Sequence, residues 1–173
     1  MSKYFPLFFL MVVAYSYANI PKCNRQTSSI PNFDRSKILG TWYVIEAGGE
    51  YRKNKKRCLQ GILSFENVLE TGYINGKLDE LDIKIQQLES KSKYITESRE
   101  FSRTIVSVLD TDYTSYAIWF FCRNNHPQGG VFLITSRTRQ PGAGFIEKAH
   151  ESLANAGFKV DKLNLYTVDQ SNC

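Results

Sequence analysis

Residues 41–137 are a succession of short β-prone segments separated by turn residues. Each segment is rich in branched and aromatic side chains or alternates apolar with polar residues, as a half-buried strand does. Asn75-Gly76, inside the third of these segments, is a hairpin turn signal. About eight short strands at hairpin spacing predict a sandwich or a barrel. The segments are residues 41–47, 58–68, 69–78, 80–90, 92–102, 103–113, 115–123 and 129–137, and the third to fifth strands are predicted to be short and polar.

One later segment, residues 144–158, breaks the strand pattern. Its apolar residues recur three or four positions apart, which predicts an amphipathic helix, and Gly157 can end that helix. Asp34 is a candidate N-cap for a short helical turn before the first strand. We therefore predict one all-β domain with a C-terminal helix. The apolar stripe is Phe145, Ala149, Leu153 and Ala156.

The first 18 residues have the features of a secretory signal peptide. Lys3 precedes an apolar run over residues 5–14, and Ser16 and Ala18 are small residues at the two positions that a signal peptidase reads. The run is shorter than the about 20 residues that a membrane-spanning helix needs. We expect cleavage after Ala18 and a secreted domain of residues 19–173, the alternative being a retained apolar strand.

All four cysteines lie after the predicted cleavage site. An even number in a secreted protein implies two disulfides, and four cysteines allow three pairings. The wide spacing argues against zinc, which favours close pairs of ligands. Spacing alone leaves the pairing of Cys23, Cys58, Cys122 and Cys173 open.

The formal net charge of +5 falls to +4 when Lys3 is removed, and much of the excess lies in residues 51–57. Such a run can contact a protein partner or an anionic surface, or it can be a solvated loop. No aromatic residues are interleaved in the way that marks nucleic-acid binding, so no nucleic-acid partner is expected. The candidate contact residues are Arg52, Lys53, Lys55, Lys56 and Arg57.

The sequence contains no recognisable catalytic motif. His126 lies in a predicted turn and His150 on the predicted helix, where both are interpreted as surface residues. There is no G-x-S-x-G, H-E-x-x-H or P-loop. We expect no enzymatic activity, no metal and no cofactor.

Three stretches follow one another along the chain: "GTWY" at residues 40–43, "TDY" at 111–113 followed by Tyr116, Ala117 and Cys122, and "ITSR" ending at Arg137. In this order they resemble the motifs of the lipocalin family. The ending "VDQSNC" and the cysteine placement are most similar to the branch of apolipoprotein D and the insect bilin-binding proteins. The resemblance spans residues 19–173 and implies an eight-stranded antiparallel up-and-down β-barrel with the helix packed on its side. It also implies the disulfides Cys23–Cys122 and Cys58–Cys173.

The resemblance implies structural roles for the motif residues. Trp42 would lie in the closed end of the barrel with the Arg137 side chain across its ring, a cation–π contact worth about 2 kcal/mol. Tyr43 would face outward, and Gly40 would let the chain turn tightly into the first strand. The structural set is Gly40, Trp42, Thr111, Asp112, Tyr113 and Arg137.

Side-chain alternation in such a barrel predicts which residues face inward. If Cys122 faces outward to hold the N-terminal arm, then Trp119 and Phe121 face inward, and parity extends the inward face to other strands. An eight-stranded barrel is just wide enough to hold one small ligand, although the same side chains could fill a solid core. The predicted ligand-binding residues are Leu63, Phe65, Val106, Val108, Trp119, Phe121 and Leu133.

We therefore expect a secreted carrier of a small hydrophobic ligand such as a fatty acid, retinoid, sterol, pheromone or tetrapyrrole. The basic residues would lie at the open end and favour a ligand with a carboxylate. The alternative is a triabin-like salivary lipocalin that binds or inhibits a protein partner through its mouth loops. Haem or amine scavenging is a third alternative, but the sequence offers no obvious inward histidine to ligate haem.

Overall fold

The computed structural model describes residues 23–24, 26–49, 56–123 and 129–173, so the predicted signal peptide lies outside the described residues. Among the described residues are the strands β1 (Gly40–Gly48), β2 (Arg57–Leu63), β3 (Asn67–Ile74), β4 (Lys77–Gln87), β5 (Lys93–Glu97), β6 (Thr104–Thr111), β7 (Tyr116–Cys122), β8 (Gly130–Ser136) and β9 (Tyr166–Thr167). They form one antiparallel sheet in the order β2-β3-β4-β5-β6-β7-β8-β1-β9. Because β1 also pairs with β2, the first eight strands close into the predicted barrel.

The described chain has two α-helices, α1 (Arg35–Ile38) and α2 (Phe145–Asn155). Asp34 is the N-cap of α1, as predicted, and its Oδ1 accepts a hydrogen bond from the Ser36 amide at 3.0 Å. Ala149 and Leu153 are buried where α2 packs against β6 and β7, so the predicted helix does cover the side of the barrel. Gly157, at a φ of 83°, follows its end. Neither helix has the length and hydropathy that crossing a bilayer requires.

Trp42 and Tyr43 point to opposite faces of β1, as alternation requires. Trp42 is 2% exposed and closes one end of the barrel, where the Arg137 guanidinium carbon lies 3.7 Å from its ring centroid. The Trp42 indole N–H donates to the Ile38 carbonyl at 2.7 Å. Tyr43 faces outward under the Arg139 guanidinium, 4.4 Å from the ring centroid. The end closure implied by the resemblance is therefore present.

Arg137 joins three segments at this closed end. Its Nη1 donates to the Thr41 carbonyl at 2.9 Å, its Nη2 to the Lys37 carbonyl at 3.0 Å, and its Nε to the Tyr113 carbonyl at 3.2 Å. Gly40 has a φ of 93°, and a Cβ at this position would lie 3.4 Å from Arg137 Nη1. Glycine is therefore favoured by both the backbone conformation and the close approach.

Thr111 and Asp112 shape the turn between β6 and β7. The Thr111 hydroxyl donates to the Tyr116 carbonyl at 2.6 Å. Asp112 Oδ1 accepts hydrogen bonds from the amides of Ser115 at 2.7 Å and Tyr116 at 3.0 Å. Partial burial disfavours the ionised form of Asp112, but these bonds and that of the Ser115 hydroxyl outweigh it and lower the pKa of the carboxyl group.

Both disulfides implied by the resemblance are present. Cys23–Cys122 ties the N-terminal arm to β7, and Cys58–Cys173 ties the C-terminal segment to β2. The two bonds close loops of 99 and 115 residues, respectively, so each restricts the unfolded chain strongly.

The C-terminal segment forms part of the barrel wall. Strands β1 and β2 pair directly over only four residues of each strand. Beyond that pairing, the Val168 amide donates to the Ile45 carbonyl at 2.8 Å. The Gln170 side-chain amide then bridges the two strands, donating to the Val44 carbonyl at 2.8 Å and the Leu59 carbonyl at 2.7 Å. The seam between the first two strands is thus completed from the far end of the sequence.

The strand predictions were wrong in two places. Residues 58–68, predicted as one strand, contain all of β2 except Arg57, then a turn, and the start of β3. The Ser64 amide donates to the Asn67 carbonyl at 2.8 Å and closes this turn, so Phe65 is 57% exposed and lies outside the barrel. Strand β4, predicted over residues 80–90 and expected to be short, is the 11-residue strand Lys77–Gln87, which begins and ends three residues earlier. The hairpin prediction is confirmed, with positive φ at both Asn75 and Gly76.

Candidate ligand-binding cavity

The barrel encloses a predominantly apolar cavity that is partly open to solvent. All eight barrel strands contribute to its lining, so the cavity depends on the closed fold as a whole. The inward side chains therefore leave space inside the barrel, and ligand binding by these residues stays a prediction. The lining residues are Trp42, Val44, Gln60, Gly61, Leu63, Val68, Glu70, Ile83, Ile85, Tyr94, Thr96, Val106, Trp119, Phe121, Leu133 and Thr135.

Two predicted binding residues do not line the cavity. Phe65 is excluded because it lies in the turn after β2. Val108 has inward parity but is fully buried in the apolar cluster around Trp42 that closes the barrel end. Alternation thus predicts which face of a strand a side chain is on. It does not predict how far along the barrel the cavity ends and the apolar cluster around Trp42 begins. The predicted residues that line the cavity are Leu63, Val106, Trp119, Phe121 and Leu133.

Trp119 and Phe121 present partly accessible rings from β7. The Trp119 indole N–H donates to the Thr135 hydroxyl at 3.0 Å, and that hydroxyl donates to the Ala117 carbonyl at 2.8 Å. The polar atom of the indole is therefore satisfied within the wall. Its carbon framework remains available for apolar contacts.

Tyr94, on β5, is a polar residue near the closed end that sequence reasoning missed. Its side chain lines the cavity, its residue is 3% exposed, and its hydroxyl has no hydrogen-bond partner. Burial raises the pKa of Tyr94 to about 12 despite the opposing charge of Arg35, so the hydroxyl stays neutral at physiological pH. Tyr94 and Thr96 lie two residues apart on β5, so strand alternation could have placed both side chains on the inward face of the barrel. No sequence pattern, however, marks the hydroxyl of Tyr94 as unpaired.

A buried ionic cluster lies toward the open end and was also missed. Lys56 Nζ lies 3.1 Å from Glu70 Oε1 and contacts the Asp79 carboxylate as well. The Lys56 side chain is 1% exposed, and Gly72 makes room for it, because a Cβ there would lie 3.1 Å from Lys56 Cδ. Glu70 also lines the cavity. The available sequence signal was Glu70 itself, a carboxylate at an inward position that requires a partner.

This cluster changes the interpretation of the basic segment. Lys56 was predicted to contact an outside partner. It cannot do so, because its ammonium group is buried between two carboxylates. Arg57 is exposed, but its Nε lies 3.5 Å from Asp169 Oδ2 and its Nη2 donates to the Ser171 carbonyl at 2.7 Å. The other basic residues of the segment lie outside the described residues: Arg52, Lys53 and Lys55.

His150, interpreted as a surface residue, is only half exposed. Its Nε2 lies 2.7 Å from Glu46 Oε2 and links α2 to the outer face of β1. His126 lies outside the described residues. All four cysteines are in disulfides, and within the described ranges no group of side chains could hold a metal ion. The geometry offers an apolar cavity with Tyr94 toward one end and charged groups toward the other.

Comparison with known sequences gives a family and a named relative. The model of the lipocalin / cytosolic fatty-acid binding protein family matches residues 39–172, which include every barrel strand and the C-terminal segment. The prostaglandin-H2 D-isomerase of Felis catus is 24% identical over 155 residues, covering 82% of this chain and 81% of that protein.

Comparison with solved structures shows the same fold in arthropod proteins. Insecticyanin from the tobacco hornworm Manduca sexta has a TM-score of 0.71 at 19% identity and is matched over 88% of each chain. Lobster apocrustacyanin A1 has a TM-score of 0.68 at 17% identity, covering 89% of this chain and 93% of that chain. The match of the family model over most of the sequence, together with this barrel, shows that the chain belongs to the lipocalin family.

Proposed function

We propose that this protein is a secreted carrier that binds a small hydrophobic ligand inside its barrel. The observation that carries the proposal is the apolar cavity lined from all eight strands and closed at the Trp42 end. Binding would be driven by burial of apolar ligand surface, at about 25 cal/mol per Å². Fatty acids, retinoids, sterols, pheromones and tetrapyrroles are the candidate classes.

Secretion is part of this proposal. It is supported by the signal-peptide features of residues 1–18, with cleavage after Ala18 leaving residues 19–173 as the working domain. The two disulfides also favour it, since such bonds persist in oxidising compartments.

We propose binding without catalysis. The relative from Felis catus is named as an isomerase, but this chain carries no recognisable catalytic motif and uses each of its cysteines in a disulfide. The cavity has the composition of a binding site, with apolar walls and few polar groups.

The alternative function, binding of a protein through the mouth loops, has less support. Lys56 and Arg57 are engaged in contacts within the molecule. Replacing Arg52, Lys53 and Lys55 by glutamine should leave binding of a neutral ligand unchanged under the carrier proposal. Under the alternative, the same replacements should abolish a salt-sensitive protein interaction.

The test uses the full chain expressed in insect cells and purified from the medium, where its N-terminus should be Asn19. Titration with retinol and with a fluorescent fatty acid should give saturable binding. Phe121→Ala should weaken that binding about tenfold, because it removes an aromatic ring from the cavity wall. Phe65→Ala is the matched control, since it removes the same ring from an exposed turn and should leave affinity unchanged.

Two results would contradict the proposal. One is the absence of saturable binding of either probe to a folded wild-type protein. The other is an equal loss of affinity in the Phe121 and Phe65 variants, which would place the probes outside the barrel.

A further inference from the structure

The hydroxyl of Tyr94 is an unusual group in the cavity wall. Buried polar groups almost always have hydrogen-bond partners, and a buried group without one destabilises the fold. Tyr94 is 3% exposed, lines the cavity and has no partner for its hydroxyl. A ligand that supplies the missing partner would recover the lost hydrogen bond.

The other hydroxyl groups of the cavity lining are already bonded. Thr96 donates to the Thr104 carbonyl at 3.3 Å. Thr135 donates to the Ala117 carbonyl and accepts from the Trp119 indole. At the opposite pole, the Glu70 carboxylate is bonded to Lys56. Tyr94 is therefore the group in the described lining that a ligand's polar atom would satisfy.

The chemistry around Tyr94 selects the kind of polar atom. With a pKa raised to about 12, its hydroxyl keeps its proton, and this unsatisfied O–H needs an acceptor such as oxygen. The nearest basic group is Arg35, whose guanidinium carbon lies 5.6 Å from the Tyr94 ring centroid. Arg35 does not line the cavity; its Nη1 and Nη2 donate to the Gln87 side chain and the Phe65 carbonyl, and its buried Nε has no hydrogen-bond partner in the described structure. An ionised carboxylate beside Tyr94 would be buried without a counter-charge in the lining, whereas an alcohol or carbonyl would not suffer that penalty.

The position of Tyr94 fixes the orientation of the ligand. Tyr94 pairs with Gln87 on β4 and belongs to the apolar cluster that closes the barrel, whereas Glu70 pairs with Leu81 nearer the mouth. The β4 segment between these two levels spans roughly 15 Å along the barrel axis when strand tilt is included. Its inward side chains, Ile83 and Ile85, are apolar.

We infer that the barrel binds an elongated apolar molecule with an alcohol or carbonyl oxygen at one end, and that this end enters first and accepts a hydrogen bond from Tyr94. The inference rests on the proposed carrier function and narrows its ligand class. It also replaces the expectation that a ligand carboxylate is held at a positive mouth.

The test measures displacement of 1-aminoanthracene from the secreted protein by dodecan-1-ol, dodecanoate and dodecane. In the wild type, dodecan-1-ol should bind most tightly. Tyr94→Phe removes only the hydroxyl and should weaken dodecan-1-ol about tenfold while leaving dodecane unchanged. Tyr73→Phe, an identical deletion at an exposed site outside the barrel, is the control and should change neither affinity.

Thermal unfolding of the unliganded Tyr94→Phe protein provides an independent measurement. Its Tm should equal or exceed that of the wild type, since the variant no longer buries an unpaired hydroxyl. A lower Tm with unchanged affinities would show a purely structural hydroxyl and overturn the inference. So would an equal change for all three probes, or a selective loss of dodecanoate. Failure of every probe to bind the wild type would instead overturn the carrier proposal, and the inference with it.

Discussion

The two ends of the barrel are stabilised by different chemistry. At the closed end, one cation, Arg137, lies on the face of Trp42 and donates to three backbone carbonyls from separate segments. Toward the mouth, one cation, Lys56, is buried between the carboxylates of Glu70 and Asp79. The first arrangement needs no countercharge, because carbonyl dipoles and an aromatic face solvate the guanidinium. The second needs its carboxylates, because an unpaired ammonium there would be buried without compensation.

This difference bears on how each end tolerates change. The contacts of Arg137 are directional and depend on a planar group with several donors, which lysine cannot reproduce. The contacts of Lys56 are those of a compact charge, and their removal can be offset by removing the opposite charge as well. The closed end therefore depends on shape, and the cluster near the mouth depends on charge balance.

The largest expected effect is that of Arg137→Ala at the closed end. It leaves the carbonyls of Lys37, Thr41 and Tyr113 without their donor and uncovers one face of Trp42. We expect a loss of about 4 kcal/mol in the free energy of unfolding, measured by denaturant titration. Arg137→Lys should recover less than half of it. Full recovery by lysine would remove the distinction between the two ends.

A somewhat smaller effect, about 3 kcal/mol, is expected for Lys56→Met near the mouth. The variant leaves the Glu70 carboxylate in the barrel without its buried cation. Adding Glu70→Leu should restore much of the stability, because the more buried of the two carboxylates is then removed and the remaining one, Asp79, has a side chain that is 28% exposed. Denaturant titration of the single and double variants gives the coupling between the two sites. A double variant less stable than the single one would show that this cluster also depends on shape.

The smallest effect is expected at Asp112. Hydrogen bonds lower the pKa of this carboxyl in the folded state below its ordinary value of 3.8, so its stabilising contribution is present above that value and is lost as the pH falls through the lowered pKa. Asp112→Asn keeps an acceptor for the amides of Ser115 and Tyr116 but removes the charge.

At pH 7 the Asp112→Asn variant should be less stable by under about 1 kcal/mol, since the carboxylate is partly exposed and solvent screens its charge. Unfolding measured between pH 2 and 7 should show this difference shrinking below about pH 4. A difference that stays constant over the range would mean that the charge of Asp112 does not contribute.

The closed end was largely predictable from the sequence, and the reason is that its residues lie in short ordered patterns. Glycine, tryptophan and arginine stand at motif positions, and alternation places Trp42 and Tyr43 on opposite faces. The strands, the C-terminal helix and the Asn75-Gly76 hairpin follow from periodicity and turn chemistry, whereas the choice of a closed barrel over a sandwich came from the family resemblance. The disulfide pairing came from the family resemblance and could not be obtained from spacing.

The cavity was less predictable because its properties depend on contacts between distant segments. Side-chain alternation placed Trp119 and Phe121 on the inward face correctly. It failed at Phe65, where the strand has already ended, and at Val108, which lies in the apolar cluster that closes the barrel and not in the cavity. Lys56 looked like part of a solvated basic run, since its burial requires the gap at Gly72 and carboxylates from two other strands. The unpaired hydroxyl of Tyr94 is a consequence of packing that no local pattern records.

The seam between β1 and β2 has a consequence for the order of folding. Synthesis delivers all eight barrel strands before residues 168–173, yet the Gln170 side chain is what bridges Val44 and Leu59. The wall therefore cannot be finished while that segment is still inside the ribosome, and a barrel that formed before then would have a gap along one side. Formation of Cys58–Cys173 after this gap closes would make the step effectively irreversible in an oxidising compartment.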